Sequence, residues 1–265
     1  MPELPDVEIY RQYLNSTALH KQVRNVETHS TQVLDGIGSR KLSSLVKDSR
    51  INEATRHGKH LFVRFGKNDW LAVHFGMTGY LAYYKDDDDQ PEHAQVVFDL
   101  ANDYHLAYVA PRKLGHLKPT NDPQAFRNRE KLGPDALRDI SSADELARIM
   151  KGKRGGIKSA LMDQETLAGI GNVYSDEILF RARIHPSTRV AALSNTHYRT
   201  LFTAMQTVLK KAIDKQAEPD RMPKSYLLPH REEGAECPVC GGTIVRRKFS
   251  GRGAYLCEDH QEKLT

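Results

Sequence analysis

Residues 237–260 read CPVCGGTIVRRKFSGRGAYLCEDH, and this stretch decides how the last part of the chain folds. Cys237 and Cys240 form a C-x2-C pair, and Cys257 and His260 form a C-x2-H pair. Two such pairs are typical of a tetrahedral structural zinc site. The chain has only three cysteines, an odd number that argues against a disulfide framework. We therefore predict one structural Zn2+ ion, with TIVRRKF and AYLC as the strands of a hairpin. The alternative is a set of free thiols beside a surface histidine.

The predicted hairpin is basic, because it carries Arg246, Arg247, Lys248 and Arg252. The whole chain has a formal net charge of +5. A basic hairpin held by zinc is suited to contact phosphates or a nucleic-acid groove. A solvated charged turn is an equally good reading of these four residues taken alone.

Before the hairpin, the residue pattern along the chain changes from one typical of strands to one typical of helices. Short β-branched and aromatic runs separated by turn signals lie between about residues 60 and 110, which favours an antiparallel sheet. A residue pattern typical of helices occurs in three later stretches, residues 141–150, 157–186 and 196–216. The first of them begins with a serine N-cap candidate. A helix is also predicted over residues 5–14. The order is therefore strands first, helices second and a cysteine module last.

Composition limits the class of protein. The chain has 265 residues, of which 39% are hydrophobic and 28% charged, as in a folded globular protein. No run approaches the length of a membrane span, and the start lacks a signal-peptide pattern. We therefore expect no membrane association and a cytoplasmic location.

The chain begins MPELPDVEIY. If Met1 is removed, Pro2 becomes a terminal secondary amine, which is a nucleophile, and the adjacent Glu3 could transfer protons. A proline and a glutamate are also common at the front of a helix, so these ten residues leave both readings open.

Six separated segments together resemble one family. They are MPELPDVE, RHGKHL, HFGMTG, LGPDAL, LMDQETLAGIGNVYSDEILF and the cysteine module, in this order. The chain resembles the Fpg/Nei family of DNA glycosylases, and it is closer to the formamidopyrimidine-DNA glycosylase branch than to the endonuclease VIII branch. The resemblance covers essentially the whole chain.

The resemblance implies an α+β fold. We expect an N-terminal antiparallel β-sandwich with flanking helices over residues 1–132. A helical helix-two-turn-helix domain would follow over 133–221, and a linker with the C-terminal zinc-finger β-hairpin over 222–265.

The resemblance also implies a base-excision repair enzyme acting on double-stranded DNA that contains damaged bases or abasic sites. Such an enzyme is a DNA glycosylase and an AP lyase, which removes oxidised or ring-opened bases and nicks the strand. Pro2 would be the nucleophile that forms a Schiff base, and Glu3 the general acid/base. Lys59 would contact phosphate and assist proton transfer, and Arg252 would bind the phosphates that flank the lesion.

Six further residues match the family's DNA contacts. Met77 would fill the gap left by the flipped nucleotide, and Arg112 would be a second void-filling residue. The matching set is His74, Met77, His93, Arg112, Lys153 and Asn172. Lys158 is either a further phosphate contact or a solvated helix residue.

The sequence departs from the family pattern at several positions. Asp6 replaces the usual glutamate, and His260 replaces the usual fourth cysteine. Lys113 and Leu114 stand in APRKLG, where the family has arginine and an aromatic residue, which puts the preference for the opposite base in doubt. Residues 218–236 lack the expected glycine-bearing loop, which weakens the case for 8-oxoguanine recognition.

Two functions from different classes fit the sequence. The first is a monomeric glycosylase/AP lyase in the cytoplasm, associated with the nucleoid if the source is bacterial. The second is a non-catalytic member of the family that binds damaged DNA. They differ in whether Met1 is removed, because a retained Met1 blocks the amine of Pro2.

Overall fold

The five strands predicted from the sequence and three further strands form a two-sheet sandwich in the first half of the chain. The computed structural model describes residues 1–265, which divide into two units, residues 1–130 and residues 131–265. The strands of the first unit are β1 (Val23–Thr28), β2 (Ile51–His57), β3 (His60–Phe65), β4 (Asp69–His74), β5 (Tyr80–Tyr84), β6 (Ala94–Leu100), β7 (His105–Val109) and β8 (His116–Thr120).

The eight strands pair into two antiparallel sheets of four. One sheet has the order β1-β6-β7-β5 and the other β2-β3-β4-β8. Apolar side chains from both sheets meet in one core, where Phe65 stacks on Phe98 at 5.9 Å between ring centroids. Phe75 and Tyr108 approach to 6.1 Å in the same core. The predicted N-terminal antiparallel β-sandwich is confirmed.

Three helices flank the sandwich, and they are α1 (Leu4–Thr17), α2 (Ser39–Val46) and α3 (Pro123–Arg129). The apolar face of α1 buries Val7 and Leu14 in the sandwich core, as the spacing of the predicted helix requires. Asp122 caps α3 by accepting hydrogen bonds from two backbone N–H groups of its first turn. Phe126 of α3 then lies edge-on to Phe62 in the sheet.

The second unit is helical, with α4 (Ala143–Met150), α5 (Ile157–Met162), α6 (Asn172–Ala182) and α7 (Asn195–Asp214). The longest helix, α7, starts with a capping box between Ser194 and His197 and buries Leu201, Met205 and Val208 along one face. The helical domain predicted by the resemblance is therefore present.

A two-stranded antiparallel hairpin, β9 (Ile244–Phe249) and β10 (Arg252–Cys257), completes the second unit. Ile244 and Cys257 pack with Phe180 of α6 in a small buried cluster. The fold class predicted from the sequence is confirmed in full. The boundaries proposed at residues 132/133 and 221/222 remain predictions. None of the helices is long and apolar enough to cross a membrane.

Candidate functional site

The N-terminus is fixed by a reciprocal pair of hydrogen bonds. Glu3 is the N-cap of α1, and its carboxylate accepts the backbone N–H of Asp6. In return, the backbone N–H of Glu3 donates to Oδ2 of Asp6 at 2.9 Å. Glu3 is buried, with 1% of its surface exposed. The peptide group that joins Pro2 to Glu3 is therefore held in one orientation.

Asp6 has an unusual electrostatic environment. Burial raises the pKa of its carboxyl group to about 6, and the nearby Glu3 adds to this shift. The hydrogen bond from the backbone of Glu3 opposes it. Two neighbouring carboxyl groups thus lie at the start of α1, and the one at Asp6 takes up a proton just below neutral pH. The sequence predicted the role of Glu3 but not this neighbour.

Tyr10 connects α1 to the loop that carries Met77. Its hydroxyl donates to the carbonyl oxygen of Gly79 at 3.3 Å, and its ring lies 4.6 Å from that of Phe75. Burial raises the pKa of Tyr10 above its ordinary value, so its hydroxyl keeps its proton at neutral pH. Tyr10 consequently packs α1, which begins beside the catalytic candidates, against the loop that carries the predicted void-filling Met77.

Four histidines form a row across one sheet. In the register of β2-β3-β4-β8, His57 faces His60, His60 faces His74, and His74 faces His116. Directly opposed residues project from the same sheet face. The rings of His60 and His74 lie 5.1 Å apart, and those of His74 and His116 stack at 5.2 Å.

At neutral pH, three of the four histidine side chains in this row are uncharged. Burial lowers the pKa of His60 well below its usual value, lowers that of His74 to about 4, and lowers that of His116. The positive charge of Lys59 contributes to the shifts at His60 and His74. Nδ1 of His74 accepts the backbone N–H of Gly76 at 3.2 Å, so the neutral ring carries its proton on Nε2.

Lys59 lies in the turn between β2 and β3, next to this row, and its surface is only 8% exposed. A largely buried lysine beside neutral imidazoles differs from the solvated lysine that is usual at the start of a strand. The structure thus gives Lys59 and His74, both predicted from the sequence, a common neighbourhood.

Met77 and Leu114 are exposed at the tips of two loops that touch each other. Their exposed fractions are 40% and 54%. Gly76 has a positive φ of 62°, and a Cβ there would meet the backbone of Leu114 and Gly115 at 2.4–2.9 Å. Only glycine permits this approach. The loops that carry Met77 and Arg112 are therefore packed backbone against backbone.

His93 joins the same group through the main chain, because its carbonyl oxygen accepts the N–H of Ala110 at 3.1 Å. His93 and Arg112 are both exposed near this contact. The seven candidates in the first unit are thus connected through α1, the histidine row and the loop pair. They are Pro2, Glu3, Lys59, His74, Met77, His93 and Arg112.

In the second unit, Lys153 lies between α4 and α5, and Asn172 lies at the start of α6. Nζ of Lys153 lies 3.1 Å from the carboxylate of Asp163. Asn172 is the first residue of α6, and its buried Oδ1 has no hydrogen-bond partner. The N-cap of α6 is Gly171, which offers no side chain to the first turn. A helix start of this kind favours an anion.

Lys158 has neither of the roles anticipated from the sequence. Its side chain is buried, and Nζ donates to Oδ1 of Asp176 at 2.6 Å and to Oγ of Ser175 at 2.8 Å. The reading of Lys158 as a phosphate contact or a solvated residue was wrong. The other carboxylate oxygen of Asp176 accepts from Arg231 at 2.8 Å and from the backbone N–H of Tyr255 in β10 at 3.2 Å.

Residues 218–236 are an ordered segment packed on α6. Met222, Tyr226, Leu227 and Leu228 are buried. The carboxylate of Glu177 accepts the backbone N–H groups of Leu227 at 3.2 Å and Leu228 at 2.7 Å. This anchorage was not predicted from the sequence, because an acidic residue in the middle of a helix is most often exposed.

The cysteine module brings three thiols together. The Sγ atoms of Cys237, Cys240 and Cys257 all lie within 4.8 Å of one another. Three soft donors at this spacing fit a tetrahedral zinc ion. A side chain at position 242 would meet the sulfurs of Cys240 and Cys257 at 3.3 Å, so Gly242 leaves the space that the cluster needs.

His260 is buried beside this cluster but is not part of it. Its Nε2 lies 3.1 Å from the carbonyl oxygen of Phe180, and its ring is 4.5 Å from the ring of Phe180. A histidine that ligates zinc commonly donates its second ring N–H to a backbone carbonyl. Its role as the fourth ligand remains a prediction.

Comparison with protein families gives three matches along the chain. Residues 1–117 match the formamidopyrimidine-DNA glycosylase N-terminal domain, and residues 132–222 match the formamidopyrimidine-DNA glycosylase H2TH domain. Residues 234–259 match a zinc finger found in FPG and IleRS. The order of the matches is the order expected from the six sequence segments.

Individual relatives are similar over their whole length. The formamidopyrimidine-DNA glycosylase of Pelotomaculum thermopropionicum is 30% identical over 99% of both chains, and that of Geotalea uraniireducens is 33% identical over 97% of this chain and 98% of its own. A crystal structure of Lactococcus lactis Fpg with DNA containing N7-benzyl-Fapy-dG has a TM-score of 0.89, 26% identity, and coverage of 99% of this chain and 100% of that one. A complex of the same enzyme with abasic-site DNA has the same TM-score and identity, and it covers 98% of this chain and 100% of its own.

Proposed function

The chain belongs to the formamidopyrimidine-DNA glycosylase family, the DNA glycosylases of oxidised-base repair, and from this we propose that it is a bifunctional glycosylase and AP lyase. The observation that supports it most directly is the reciprocal bonding of Glu3 and Asp6 at the chain start. It fixes the peptide group that follows Pro2, as a reaction at the terminal amine requires.

Removal of Met1 makes Pro2 a nucleophile. An α-amine has a pKa of about 7.7–8.0, so part of it is neutral at physiological pH. The nitrogen lone pair attacks C1′ of the damaged nucleotide, and the bond from C1′ to the base breaks with its electron pair leaving on the base. The Pro2 nitrogen gives up its N–H proton to the departing base, and Glu3 protonates O4′ as the C1′–O4′ bond breaks and the sugar ring opens. The product is an iminium ion that joins Pro2 to C1′.

The iminium ion makes two eliminations possible. Loss of the C2′ proton expels the 3′ phosphate with the electron pair of its C3′–O bond. Loss of the C4′ proton then expels the 5′ phosphate with the electron pair of its C5′–O bond. Lys59, buried beside the neutral histidine row, is proposed to contact phosphate and assist proton transfer.

The partner is double-stranded DNA that contains a damaged base or an abasic site, because the target nucleotide is flipped out of a duplex before it reacts. The relatives of known structure include complexes with such DNA. The exposed Met77 is proposed to fill the gap that flipping leaves. The proposed DNA contacts are His74, His93, Arg112, Lys153, Asn172 and Arg252.

One zinc ion is proposed to hold the hairpin that carries Arg252. Cys237, Cys240 and Cys257 supply three ligands, and His260 is the proposed fourth. The ion would be structural, because these four residues would crosslink the two ends of the hairpin and leave no position open for substrate. The protein is proposed to act as a monomer in the cytoplasm, at the nucleoid if its source is bacterial.

Among lesions, we favour ring-opened formamidopyrimidines over 8-oxoguanine. The support is the ordered segment 218–236, which is bonded to Glu177 and lacks the expected glycine-bearing loop. Excision rates on a panel of lesion duplexes test this preference. Efficient removal of 8-oxoguanine opposite cytosine would contradict it.

Borohydride trapping tests the reaction itself. The wild-type protein mixed with abasic-site DNA and borohydride should give a covalent complex, because reduction of the iminium ion is irreversible. Pro2→Gly should lower the trapped fraction about tenfold or more. Pro219→Gly, at an exposed proline of the second unit, is the matched control and should trap normally. Absence of a trapped species with the wild type would exclude the lyase chemistry.

Mass analysis of the purified protein separates the enzyme from the alternative, a non-catalytic protein that binds damaged DNA. The enzyme requires a chain that starts at Pro2. A chain that retains Met1 and binds abasic-site DNA without cleaving it would establish the alternative.

A further inference from the structure

The tip of the β9–β10 hairpin is a two-residue turn that determines where Arg252 points. β9 ends at Phe249 and β10 begins at Arg252, so the turn consists of Ser250 and Gly251. Both have positive φ, 48° and 80°. Such turns match the twist of a hairpin but suit glycine or asparagine better than serine. Ser250 therefore adopts a backbone conformation that is disfavoured for it.

A side chain from outside the hairpin contacts this turn. Oγ of Ser159, in α5, lies 2.9 Å from Oγ of Ser250. The two residues are 91 positions apart in the sequence. The contact therefore joins a helix of the DNA-binding domain to the hairpin tip, two residues before Arg252.

The helix that supplies Ser159 is itself firmly held. Its neighbour Lys158 is buried and bonded to Asp176, and Asp176 also accepts the backbone N–H of Tyr255 in β10. The hairpin is thus attached to the helices at two points, near the middle of β10 through Asp176 and at the tip through Ser159. Loss of the tip contact would leave the middle anchored and the turn free to relax.

Arg252 is exposed and makes no ion pair or side-chain hydrogen bond within the chain. Because nothing else holds its guanidinium group, its direction depends on the backbone of the turn. We propose that Ser159, through Ser250, is a positioning residue that aims Arg252 at the phosphates flanking the lesion. The inference rests on the function proposed above for Arg252, and neither Ser159 nor Ser250 is among the catalytic, DNA-binding or zinc-binding residues proposed from the resemblance.

The contact has a specific chemical consequence. In the second elimination, the C4′ proton is lost and the C5′–O bond breaks, so that the phosphate leaves with the bonding electron pair. A correctly aimed guanidinium group stabilises the negative charge of that leaving phosphate. When Arg252 is misdirected, the reaction should stop more often after the first elimination. The ratio of the two products therefore reports on the position of Arg252 rather than on folding stability.

The experiment compares strand-cleavage products of abasic-site duplex DNA on a denaturing gel, together with KM and kcat for base excision. Ser159→Ala should raise the ratio of singly to doubly eliminated product, and KM, about threefold to fivefold, the range expected for one lost hydrogen bond. The kcat for base excision should change by less than about twofold. Ser159→Thr keeps the hydroxyl and should restore the wild-type ratio.

Three further variants make the result decisive. Ser250→Ala should behave like Ser159→Ala, and the double variant should be no worse than either single one, because both remove the same contact. Ser16→Ala removes an exposed hydroxyl that bonds within α1 and should leave the ratio unchanged. Equal ratios for Ser159→Ala and Ser16→Ala would overturn the proposal.

Arg252→Ala distinguishes the proposal from the function on which it rests. If Arg252→Ala shifts the ratio strongly and Ser159→Ala does not, the positioning role fails and the proposed function stands. If Arg252→Ala leaves both the ratio and KM unchanged, the proposed role of Arg252 and the positioning role fail together.

Discussion

At the scale of single residues, the start of the chain depends on two carboxyl groups that differ in burial and in partner. Glu3 caps α1 and is almost wholly buried, whereas Asp6 bonds the backbone of Glu3 and has a pKa of about 6. The shorter side chain of aspartate, where the family has glutamate, still reaches the N–H of Glu3. The proposed reactive end of the chain is therefore held by two hydrogen bonds between side-chain carboxylates and backbone N–H groups.

The raised pKa of Asp6 predicts a pH-dependent contribution to stability. Its ordinary pKa of 3.8 rises to about 6 in the folded chain, so the folded state binds more protons between these values. The resulting stability is fully present below pH 3.8 and is lost as the pH rises through 6. From pH 5 to 8, the wild type should lose on the order of 1 kcal/mol of unfolding free energy relative to Asp6→Asn. Urea titrations of both proteins measure this difference, and parallel pH profiles would contradict it.

Because position 114 is a leucine, we expect the excision rate to depend only weakly on the base opposite the lesion. Its side chain is exposed at a loop tip, and leucine cannot stack on a base as an aromatic ring does. Leu114→Phe should increase the spread of excision rates across the four opposite bases about fivefold, as expected from one added stacking contact. Leu114→Met, which adds bulk without a ring, is the control. The prediction fails if the phenylalanine and methionine variants show the same spread.

At the scale of elements, sequence patterns predicted some strands well and missed others for a physical reason. The runs that became β3 to β7 are rich in β-branched and aromatic residues, and α1 follows its apolar spacing. β1, β2 and β8 were not predicted, because VRNVET, INEATRH and HLKPT carry many polar residues. These strands are stabilised by their neighbours in the sheets rather than by their own composition.

Sequence patterns likewise predicted only part of the candidate sites. Cysteine spacing predicted the three clustered cysteines, and the order of the motifs indicated Pro2 and Glu3 as the catalytic candidates at the chain start. The histidine row was invisible in the sequence, since its members come from four strands whose register only the folded sheet defines. The burial of Lys158 was missed for a similar reason, because Asp176 lies on a different helix.

The histidine row predicts acid sensitivity of the sandwich. The pKa of His60 lies well below 6.5, and its buried Nδ1 has no hydrogen-bond partner. Stability is therefore present above pH 6.5 and is lost as the pH falls, because the unfolded chain takes up the proton first. Between pH 7 and pH 5, the wild type should lose on the order of 1–2 kcal/mol of unfolding free energy, and His60→Phe should not show this loss.

Urea unfolding at the two pH values measures this effect in the first unit. His29→Gln, at an exposed histidine of the same unit, should track the wild type. A His60→Phe variant that loses as much stability on acidification as the wild type would show that the buried ring is not responsible.

At the scale of the whole molecule, the chain consists of two units, and only the second contains the cysteine cluster. Removal of zinc with a strong chelator should release one ion per chain and abolish binding to abasic-site DNA, because the hairpin with Arg252 loses its crosslink. The first unit should remain folded. The only tryptophan, Trp70, lies in β4, so its fluorescence reports on that unit alone.

A colorimetric zinc assay and fluorescence anisotropy with labelled DNA measure the two effects. Cys237→Ser, which removes one buried thiol, should reproduce the result without a chelator. DNA binding that survives complete loss of zinc would show that the hairpin is not required to hold DNA.

The early start of α1 also constrains how the protein can be produced for such experiments. The helix begins at Leu4, and its N-cap Glu3 is already buried. A purification tag fused ahead of Pro2 would turn its nitrogen into an amide, which has no basic lone pair. We therefore expect an N-terminally tagged preparation to fold and bind zinc but to show no trapping, until a protease cuts directly before Pro2.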